Sequence, residues 1–320
     1  MVAVNEPLKS SATISDYLRI ARPDHWFKNI FMLPGTALAL VFTGMPLQQA
    51  LLPSLIALLS LCFGASANYV INEWLDAKTD QHHPVKKHRP GASRILNAQV
   101  VVAQYLILAA ISLYLSLTVS YNLMFIICFF LFMGLNYNVP PVRLKDKVYL
   151  DVLSESVNNP IRLIIGWLAI VPTALPPSTI LLSYWMGGAF LMAIKRFAEY
   201  RMIDDRQRAA SYRKSFEVYS EDKLLVSAFF YALCSTFFLG IFLIKYRIEF
   251  LLTFPLFALL FVWYLRIALR RQSVVQTPEK LYRERRFVAF VATLGGIVIL
   301  LFLVDIPYLQ LLVDPVIFNK

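Results

Sequence analysis

Four side chains that carry ligand oxygens lie close together between Asn72 and Asp80. On a helix, Glu73, Asp76 and Asp80 would be spaced i, i+3 and i+7, and Asn72 would lie four residues before Asp76, so that all four share roughly one face. Carboxylates this close repel one another unless a cation lies between them. Mg²⁺ suits such a site because it binds few protein carboxylates and completes its coordination with water and substrate phosphates. We therefore predict a Mg²⁺ site here; the simpler alternative is a solvated acidic helix end.

A basic segment follows the acidic one. Lys86 and Arg89 suit phosphate binding, because Arg offers a fork of donors and Lys a point charge. His82, His83 and His88 match no zinc-binding spacing, and the neighbouring cations would repel a metal ion. The alternative is a loop whose positive charge only orients the chain in a membrane.

Two more polar segments follow in the middle of the chain. Pro140 and Pro141 rule out a continuous helix and predict an extended turn between Tyr137 and Lys145. A polar stripe then runs along one face of the next apolar segment, and charged groups inside a bilayer usually face a cavity or each other. The stripe therefore predicts an internal ion pair, the lining of a polar pocket, or both. Its members are Asp151, Glu155, Asn158 and Arg162.

A second cluster contains more cations than carboxylates. Lys195 and Glu199 are spaced i, i+4 at the end of an apolar segment, and Tyr212, Arg213 and Lys214 follow after a short break. The two clusters together predict a metal site that faces an anion site. The alternative for such a charge run is a solvated helix face.

The composition indicates which elements must position these residues. Of the 320 residues 58% are hydrophobic and the mean hydropathy is +0.60, which is more apolar side chain than the core of a soluble globule can bury. The chain is therefore predicted to be an all-α polytopic membrane protein. Its three cysteines, at unrelated spacings in apolar runs, indicate neither disulfides nor a zinc site. Nine spans are predicted, near residues 29–43, 51–71, 98–119, 122–138, 149–171, 178–198, 224–244, 248–268 and 288–307.

The net charge of +11 is explained by orientation in the membrane. Most of the Lys and Arg residues fall in an N-terminal arm, residues 1–28, and in loops on the same side that include residues 72–97 and 195–223. This asymmetry places the arm and these loops in the cytoplasm and the C-terminus outside. We expect one transmembrane catalytic domain over residues 1–320, in the inner (plasma) membrane, with no nucleic-acid partner.

These residues resemble the motifs of the UbiA-type intramembrane prenyltransferase superfamily. Its first motif, Asn-Asp-x-x-Asp-x-x-x-Asp, is matched from Asn72 to Asp80 with Glu73 in the second place. The resemblance implies a bundle of nine transmembrane helices with the active site at the cytoplasmic face. The family's double-proline turn is matched by Tyr137, Pro140, Pro141, Arg143, Leu144 and Lys145.

Within the superfamily, the chain is most similar to the decaprenyl-phosphate phosphoribosyltransferase branch. Aromatic-acceptor members carry a second motif, Asp-x-x-x-Asp, after the sixth span. Here Asp204 and Asp205 are adjacent, and a basic segment from Lys195 to Glu199 takes that place. The arm and loop motifs of the branch are matched by Arg22, Pro23, Trp26, Lys28 and Asn29, and by Asp80, His83, Pro84, Lys86, Arg89 and Pro90.

The resemblance implies Mg²⁺-dependent transfer of phosphoribose from phosphoribosyl pyrophosphate to a polyprenyl phosphate in the membrane lipid, with release of pyrophosphate. The implied metal ligands are Asn72, Glu73, Asp76 and Asp80, but the extra methylene of Glu73 leaves open that Asp76 and Asp80 hold the metal alone. The implied catalytic residues are Asp76, Asp80, Lys195 and Glu199. The implied substrate-binding residues are Lys28, Asn72, Lys86, Arg89, Tyr137, Lys145, Arg162, Tyr212, Arg213 and Lys214.

Two other functions stay open. A prenyltransferase would use the same Mg²⁺ site to ionise a prenyl diphosphate and would pass the prenyl group to an aromatic or lipid acceptor. A transporter of an anionic solute would account for intramembrane charges such as Arg162, but not for a carboxylate face beside a basic loop. The sequence is compatible with a homo-oligomer and leaves the polyprenyl length open.

Overall fold

A computed structural model describes residues 10–312 except 84, 204, 271, 272 and 277. Within that part of the chain the regular structure is helical and no β-strand is present, which confirms the all-α expectation. The α-helices are α1 (Ile14–Ile20), α2 (Leu33–Thr43), α3 (Leu47–Leu75), α4 (Pro90–Ser93), α5 (Ala98–Val119), α6 (Tyr121–Asn138), α7 (Leu150–Ser156), α8 (Asn158–Leu168), α9 (Ser178–Ile203), α10 (Arg206–Tyr212), α11 (Glu221–Tyr246), α12 (Phe254–Ala268) and α13 (Arg285–Leu303). Short 3₁₀ segments connect them at Pro23–Met32, Asp80–His82, Lys86–His88, Leu144–Asp146, Lys214–Glu217, Ile248–Thr253, Val274–Gln276, Pro278–Arg283 and Pro307–Leu312.

Each of the nine predicted apolar segments overlaps helical structure, but the fifth is interrupted. Residues 149–171 contain α7 and α8, which are separated at Val157. The nine-span count itself stays a prediction, since six segments of the described chain are long and apolar enough to cross a membrane. They are Ile14–Thr43, Leu47–Leu75, Ala98–Val119, Tyr121–Asn138, Glu221–Tyr246 and Ile248–Ala268.

The chain divides into two compact units. The first takes in the described residues of Met1–Pro176 together with Ile203–Tyr219, and the second those of Pro177–Met202 together with Ser220–Lys320. In the first unit α3 packs against α5 and α6, and α2 packs against α8. The expected single catalytic domain remains a prediction.

Two glycines allow α2 and α8 to approach each other at the level of the backbone. A Cβ at Gly35 would lie 2.0 Å from the Leu163 carbonyl oxygen, and one at Gly166 would lie 2.0 Å from that of Met32. The Thr36 hydroxyl also donates to the Gly166 carbonyl (3.1 Å). Small residues permit such close helix packing in membranes.

The same pair of reciprocal hydrogen bonds occurs once in each unit. In the first, the Ser60 hydroxyl donates to the Ser112 carbonyl (2.7 Å) and the Ser112 hydroxyl donates to the Ser60 carbonyl (2.6 Å), which joins α3 to α5. In the second, Ser183 and Ser235 exchange equivalent bonds (3.0 and 2.9 Å), which join α9 to α11. The partners are 52 residues apart in both cases. Each serine of the second pair lies 123 residues after its counterpart (183 minus 60, and 235 minus 112).

We expect Gly166→Ala to lower the free energy of unfolding by about 1–3 kcal/mol, because the new methyl group forces α2 and α8 apart. Gly240 on α11 is the matched control, since a Cβ there meets no atom within 4 Å. Gly240→Ala should leave stability within about 1 kcal/mol of wild type, on the stabilising side. Thermal unfolding in detergent micelles measures the stability of both variants. Equal stability of the two would contradict the close backbone approach of α2 and α8.

Candidate active site

The candidate active site lies at the C-terminal end of α3. Regular helix ends at Leu75, but the Asp76 N–H donates to the Asn72 carbonyl (3.0 Å) and the Asp80 N–H to the Asp76 carbonyl (2.8 Å). Helical hydrogen bonding therefore extends to the start of the Asp80–His82 turn. Carboxylates at this position meet the negative pole of the helix, which is unfavourable unless cations lie nearby.

The three carboxylates of this segment bind cations from three different parts of the chain. Arg22 comes from the N-terminal arm, Arg89 from the loop after α3, and the other two cations from the turn after α6. The ion pairs are Glu73 with Arg22 (2.6 Å), Asp76 with Arg143 (3.1 Å) and with Lys145, and Asp80 with Arg89 (2.9 Å).

Electrostatics distinguish Asp76 from Asp80. Burial alone would raise the pKa of Asp76, but the charge and hydrogen bond of Lys145, together with Arg143 and Arg213, lower it below its usual value. Burial lowers the pKa of Lys145 to about 8, against the opposing attraction of Asp76. Burial also raises the pKa of Asp80, and the negative charge of Asp76 adds to that rise. The two aspartates therefore repel each other, and a bound cation would relieve that repulsion.

The double proline shapes the turn that carries Arg143 and Lys145. α6 ends at Asn138, the Pro140–Pro141 peptide is cis, and Arg143 has a left-handed backbone with φ +30°. Few non-glycine residues adopt this conformation, and in native structures it occurs where neighbouring contacts enforce it. The Arg143 side chain supplies such contacts through its bonds to the Asn138 carbonyl (3.0 Å) and to Asp146 (2.9 Å).

Asn138 joins the turn to α3. Its side-chain oxygen accepts hydrogen bonds from Asn72 (2.5 Å) and from Lys145 (3.0 Å). Since Nδ2 of Asn72 points toward Asn138, the carbonyl oxygen is the atom through which Asn72 would bind a metal. Tyr137 lies one residue earlier, with its ring centroid 6.0 Å from the Lys145 ammonium.

The loop after α3 contacts the C-terminal end of α10. The Lys86 ammonium donates to the Tyr212 hydroxyl and lies 4.7 Å from the centroid of that ring. The ring of His83 meets the Tyr212 ring edge to face at 4.6 Å. Lys86 and Tyr212, both predicted to bind substrate, are thus brought together.

Asp151 holds the segment that carries Arg213. This carboxylate is fully buried on α7 and accepts hydrogen bonds from Tyr219 (2.7 Å) and Ser215 (3.2 Å), while the Arg213 guanidinium lies 3.7 Å away. The Tyr149 N–H in turn donates to the Tyr219 hydroxyl (2.7 Å). Arg213 is thereby kept close enough to Asp76 to affect its pKa.

The rest of the predicted stripe contacts several elements. The Tyr137 hydroxyl donates to Glu155 (2.8 Å), the Asn158 amide to the Glu155 carbonyl (2.9 Å), and Arg162 to the Asn29 side chain (3.2 Å). Arg162 thus bonds to the residue that directly follows Lys28. Asp151, at the start of the stripe, forms an ion pair with Arg213.

Other predicted residues lie elsewhere. Lys214 is exposed in the Lys214–Glu217 turn. Lys195 and Glu199 belong to the second unit, at the C-terminal end of α9, where buried Glu199 accepts a hydrogen bond from Arg196 (3.0 Å). Their participation in a common site with the first unit remains a prediction.

Metal ligation depends on few protein groups. Among the described residues, no group of three or more His, Cys, Asp or Glu side chains could hold a metal ion. Two aspartates and an amide fit Mg²⁺ all the same, because this ion takes one or two carboxylates and completes its shell with water and substrate phosphates. The donor chemistry thus fits a magnesium ion that binds together with a phosphorylated substrate.

The chain is similar to known proteins in both sequence and fold. The model of the UbiA prenyltransferase family matches residues 31–294. The chain belongs to the UbiA prenyltransferase family. A UbiA homologue from Archaeoglobus fulgidus, whose structure was solved with GPP and Mg²⁺, has the same fold, with a TM-score of 0.65 at 19% identity over 87% of this chain and 99% of that one.

Several relatives of this UbiA member have names that specify an activity. The decaprenyl-phosphate phosphoribosyltransferase of Mycolicibacterium smegmatis is 29% identical over 66% of this chain and 64% of its own length. The enzyme of that name from Mycobacterium tuberculosis is 28% identical over 66% of this chain and 68% of its own. The nodulation protein NoeC of Azorhizobium caulinodans is 26% identical over 63% of each chain. The matched region is thus just under two thirds of the length of the M. smegmatis relative. The family, together with the two phosphoribosyltransferase names, supports the expectation of a transferase.

Several residues that organise the site were not among the candidate site residues predicted from the sequence. Arg22 and Arg143 were parts of motifs, and Asp151 part of the polar stripe, but none was a candidate site residue. Asn138 and Tyr219 had no signal beyond their neighbourhood. Their roles depend on partners far away in the chain, such as Arg22 and Glu73, which are separated by 51 residues.

We expect Lys145→Gln to lower the free energy of unfolding by about 2 kcal/mol or more, because it leaves the largely buried carboxylate of Asp76 with one cation fewer. Exposed Lys147, two residues later, is the matched control, and Lys147→Gln should change stability by no more than about 0.5 kcal/mol. Thermal unfolding of the purified variants tests this. Unchanged stability of Lys145→Gln would show that the ion pair does not hold the turn.

Proposed function

We propose that this UbiA member transfers phosphoribose from phosphoribosyl pyrophosphate to a polyprenyl phosphate with the help of Mg²⁺. The observation that carries the proposal is the convergence of Asp76 and Asp80 with cations from separate segments of the first unit. These cations are Lys86, Arg89, Lys145 and Arg213. The names of the M. smegmatis and M. tuberculosis relatives support the choice of substrates.

In this proposal Asp76, Asp80 and Asn72 would hold Mg²⁺, which would neutralise negative charge on the departing pyrophosphate. Arg143 and Lys145 neutralise Asp76. A pyrophosphate group offers these two cations another anionic partner, and their movement toward it would leave the Asp76 carboxylate to ligate. Arg suits this binding because its guanidinium can contact two phosphate oxygens at once.

The transfer itself exchanges one bond for another. A phosphate oxygen of the lipid forms a bond to C1 of the ribose, and the bond from C1 to the pyrophosphate oxygen breaks, with its electron pair leaving on pyrophosphate. The lipid phosphate is already an anion near neutral pH, so no side chain has to remove a proton. The cations beside Asp76 stabilise charge where it develops on the leaving oxygens.

The proposed orientation places this chemistry at the cytoplasmic face. The arm, the loop after α3, the turn after α6 and the segment after α10 all contribute to the cluster in the first unit. These are the basic segments that the positive-inside rule assigns to one side of the membrane.

The direct test uses purified protein in detergent with Mg²⁺, a polyprenyl phosphate, and phosphoribosyl pyrophosphate labelled in the ribose. Label that moves into the organic phase supports the proposal. Absence of that transfer, combined with transfer from a prenyl diphosphate to an aromatic acid, would replace it with a prenyltransferase function.

We expect Asp76→Asn to lower turnover by about 100-fold or more, because Mg²⁺ loses one of its two proposed aspartate ligands. Asp222, exposed in the first turn of α11, provides the control Asp222→Asn, which should retain wild-type activity. The organic-phase assay measures both, with thermal unfolding to verify that the variants are folded. Full activity of Asp76→Asn would refute the metal assignment.

We expect Arg213→Ala to raise the KM for phosphoribosyl pyrophosphate about tenfold and to change kcat less, because the proposed role is donor binding. Arg208→Ala, which removes an exposed arginine from α10, is the control and should leave KM unchanged. Initial rates at varied donor concentration separate the two constants. A loss confined to kcat would exclude a role in donor binding.

A further inference from the structure

The N-terminal arm runs antiparallel to the last turns of α3, and Arg22 and Glu73 form the contact nearest the helix end. The Arg22 guanidinium donates two hydrogen bonds to one oxygen of Glu73, through Nε (2.9 Å) and Nη2 (2.6 Å). It also lies 5.5 Å from the ring centroid of Tyr69, one turn earlier on α3. Arg22 has a left-handed backbone with φ +50°, which a non-glycine residue adopts where its surroundings enforce it.

Further contacts continue along the same face of α3 toward its middle. The Trp26 indole donates to the Ser66 hydroxyl (2.8 Å), and the Asn29 amide donates to the Cys62 sulfur (3.2 Å). Residues 62, 66, 69 and 73 are spaced as one stripe of a helix. The arm is therefore aligned along α3 over three turns, and Lys28 lies within the aligned segment.

Glu73 also contacts the loop on its other side. Its second carboxylate oxygen accepts a hydrogen bond from the Gly91 N–H (3.3 Å). A Cβ at position 91 would lie 2.6 Å from the Glu73 carbonyl oxygen, so that only glycine fits this approach. Gly91 lies two residues after Arg89, whose guanidinium binds Asp80.

We propose that Glu73 is a positioning residue that fixes the arm and the loop to α3, and that it is not a metal ligand. Both of its oxygens already accept hydrogen bonds, one from Arg22 and the other from Gly91. A metal ion at Glu73 would have to displace Arg22. Lys28 and Arg89 are then held in place through this one carboxylate. The inference rests on the proposed function only in so far as both cations bind the donor.

The test compares Glu73→Gln, Arg22→Gln and the exchanged pair Arg22→Glu with Glu73→Arg. We expect each single variant to raise the KM for phosphoribosyl pyrophosphate about tenfold and to leave the Mg²⁺ concentration for half-maximal activity unchanged. The exchanged pair should recover part of the loss, because it restores opposite charges. Arg19→Gln, an exposed arginine three residues before Arg22, is the matched control and should behave as wild type.

Hydrogen exchange gives a readout that does not depend on activity. In Glu73→Gln, the amides of Arg22, of residues 24–29 and of Gly91 should exchange faster than in wild type, whereas amides in the middle of α5 should not change. The milder variants Glu73→Asp and Arg22→Lys extend the test if Gln at either position prevents folding, and they should give smaller shifts in the same direction.

The outcomes separate this proposal from the proposed function. A raised Mg²⁺ requirement with unchanged KM and unchanged exchange in the arm would make Glu73 a metal ligand and overturn the inference. Wild-type protein that transfers no label from phosphoribosyl pyrophosphate would refute the proposed function, while the exchange of residues 22–29 would still decide the role of Glu73.

Discussion

Negative charge at the negative pole of a helix is the constraint on which the candidate site depends. α3 ends with three carboxylates close to the negative pole of its dipole, an arrangement that costs about 0.3–1 kcal/mol for each exposed charge and more where it is buried. Arginine and lysine side chains offset this cost, and they come from the arm, the following loop and the double-proline turn. Loss of one partner from a buried ion pair costs about 3–5 kcal/mol, because the remaining charge is buried without a partner. The charge of α3 thus determines where the surrounding segments pack.

The same cations have a second role in the proposed reaction. Guanidinium and ammonium groups that neutralise carboxylates are also the groups that bind phosphate. In the proposed reaction, a phosphorylated donor would exchange partners within a site assembled from such pairs. Asp76 is suited to this exchange because it has two cationic partners and is more exposed than Glu73, whose partner Arg22 is fixed by further contacts along α3.

The sequence was sufficient to predict the helical class and the approximate positions of the apolar helices, because length and hydrophobicity alone limit what can cross a membrane. It did not reveal the break at Val157, since the composition stays apolar there and the interruption concerns the backbone. Spacing predicted that Glu73 and Asp76 lie near each other, but not which cation from another segment pairs with each of them. The stripe that begins at Asp151 was visible as a pattern, whereas its bonds to Ser215 and Tyr219 depend on a segment more than 60 residues away.

The repeated serine pairs relate positions of α3 and α5 to positions of α9 and α11. With the same offset, Asn72 corresponds to Lys195 and Asp76 to Glu199, while Asn97 and Ser220, which cap α5 and α11, correspond to each other. The helix contacts are therefore alike where the charged residues differ. Two helix pairs of this chain are thus joined by the same hydrogen bonds, while an amide stands at position 72 and an ammonium at the corresponding position 195.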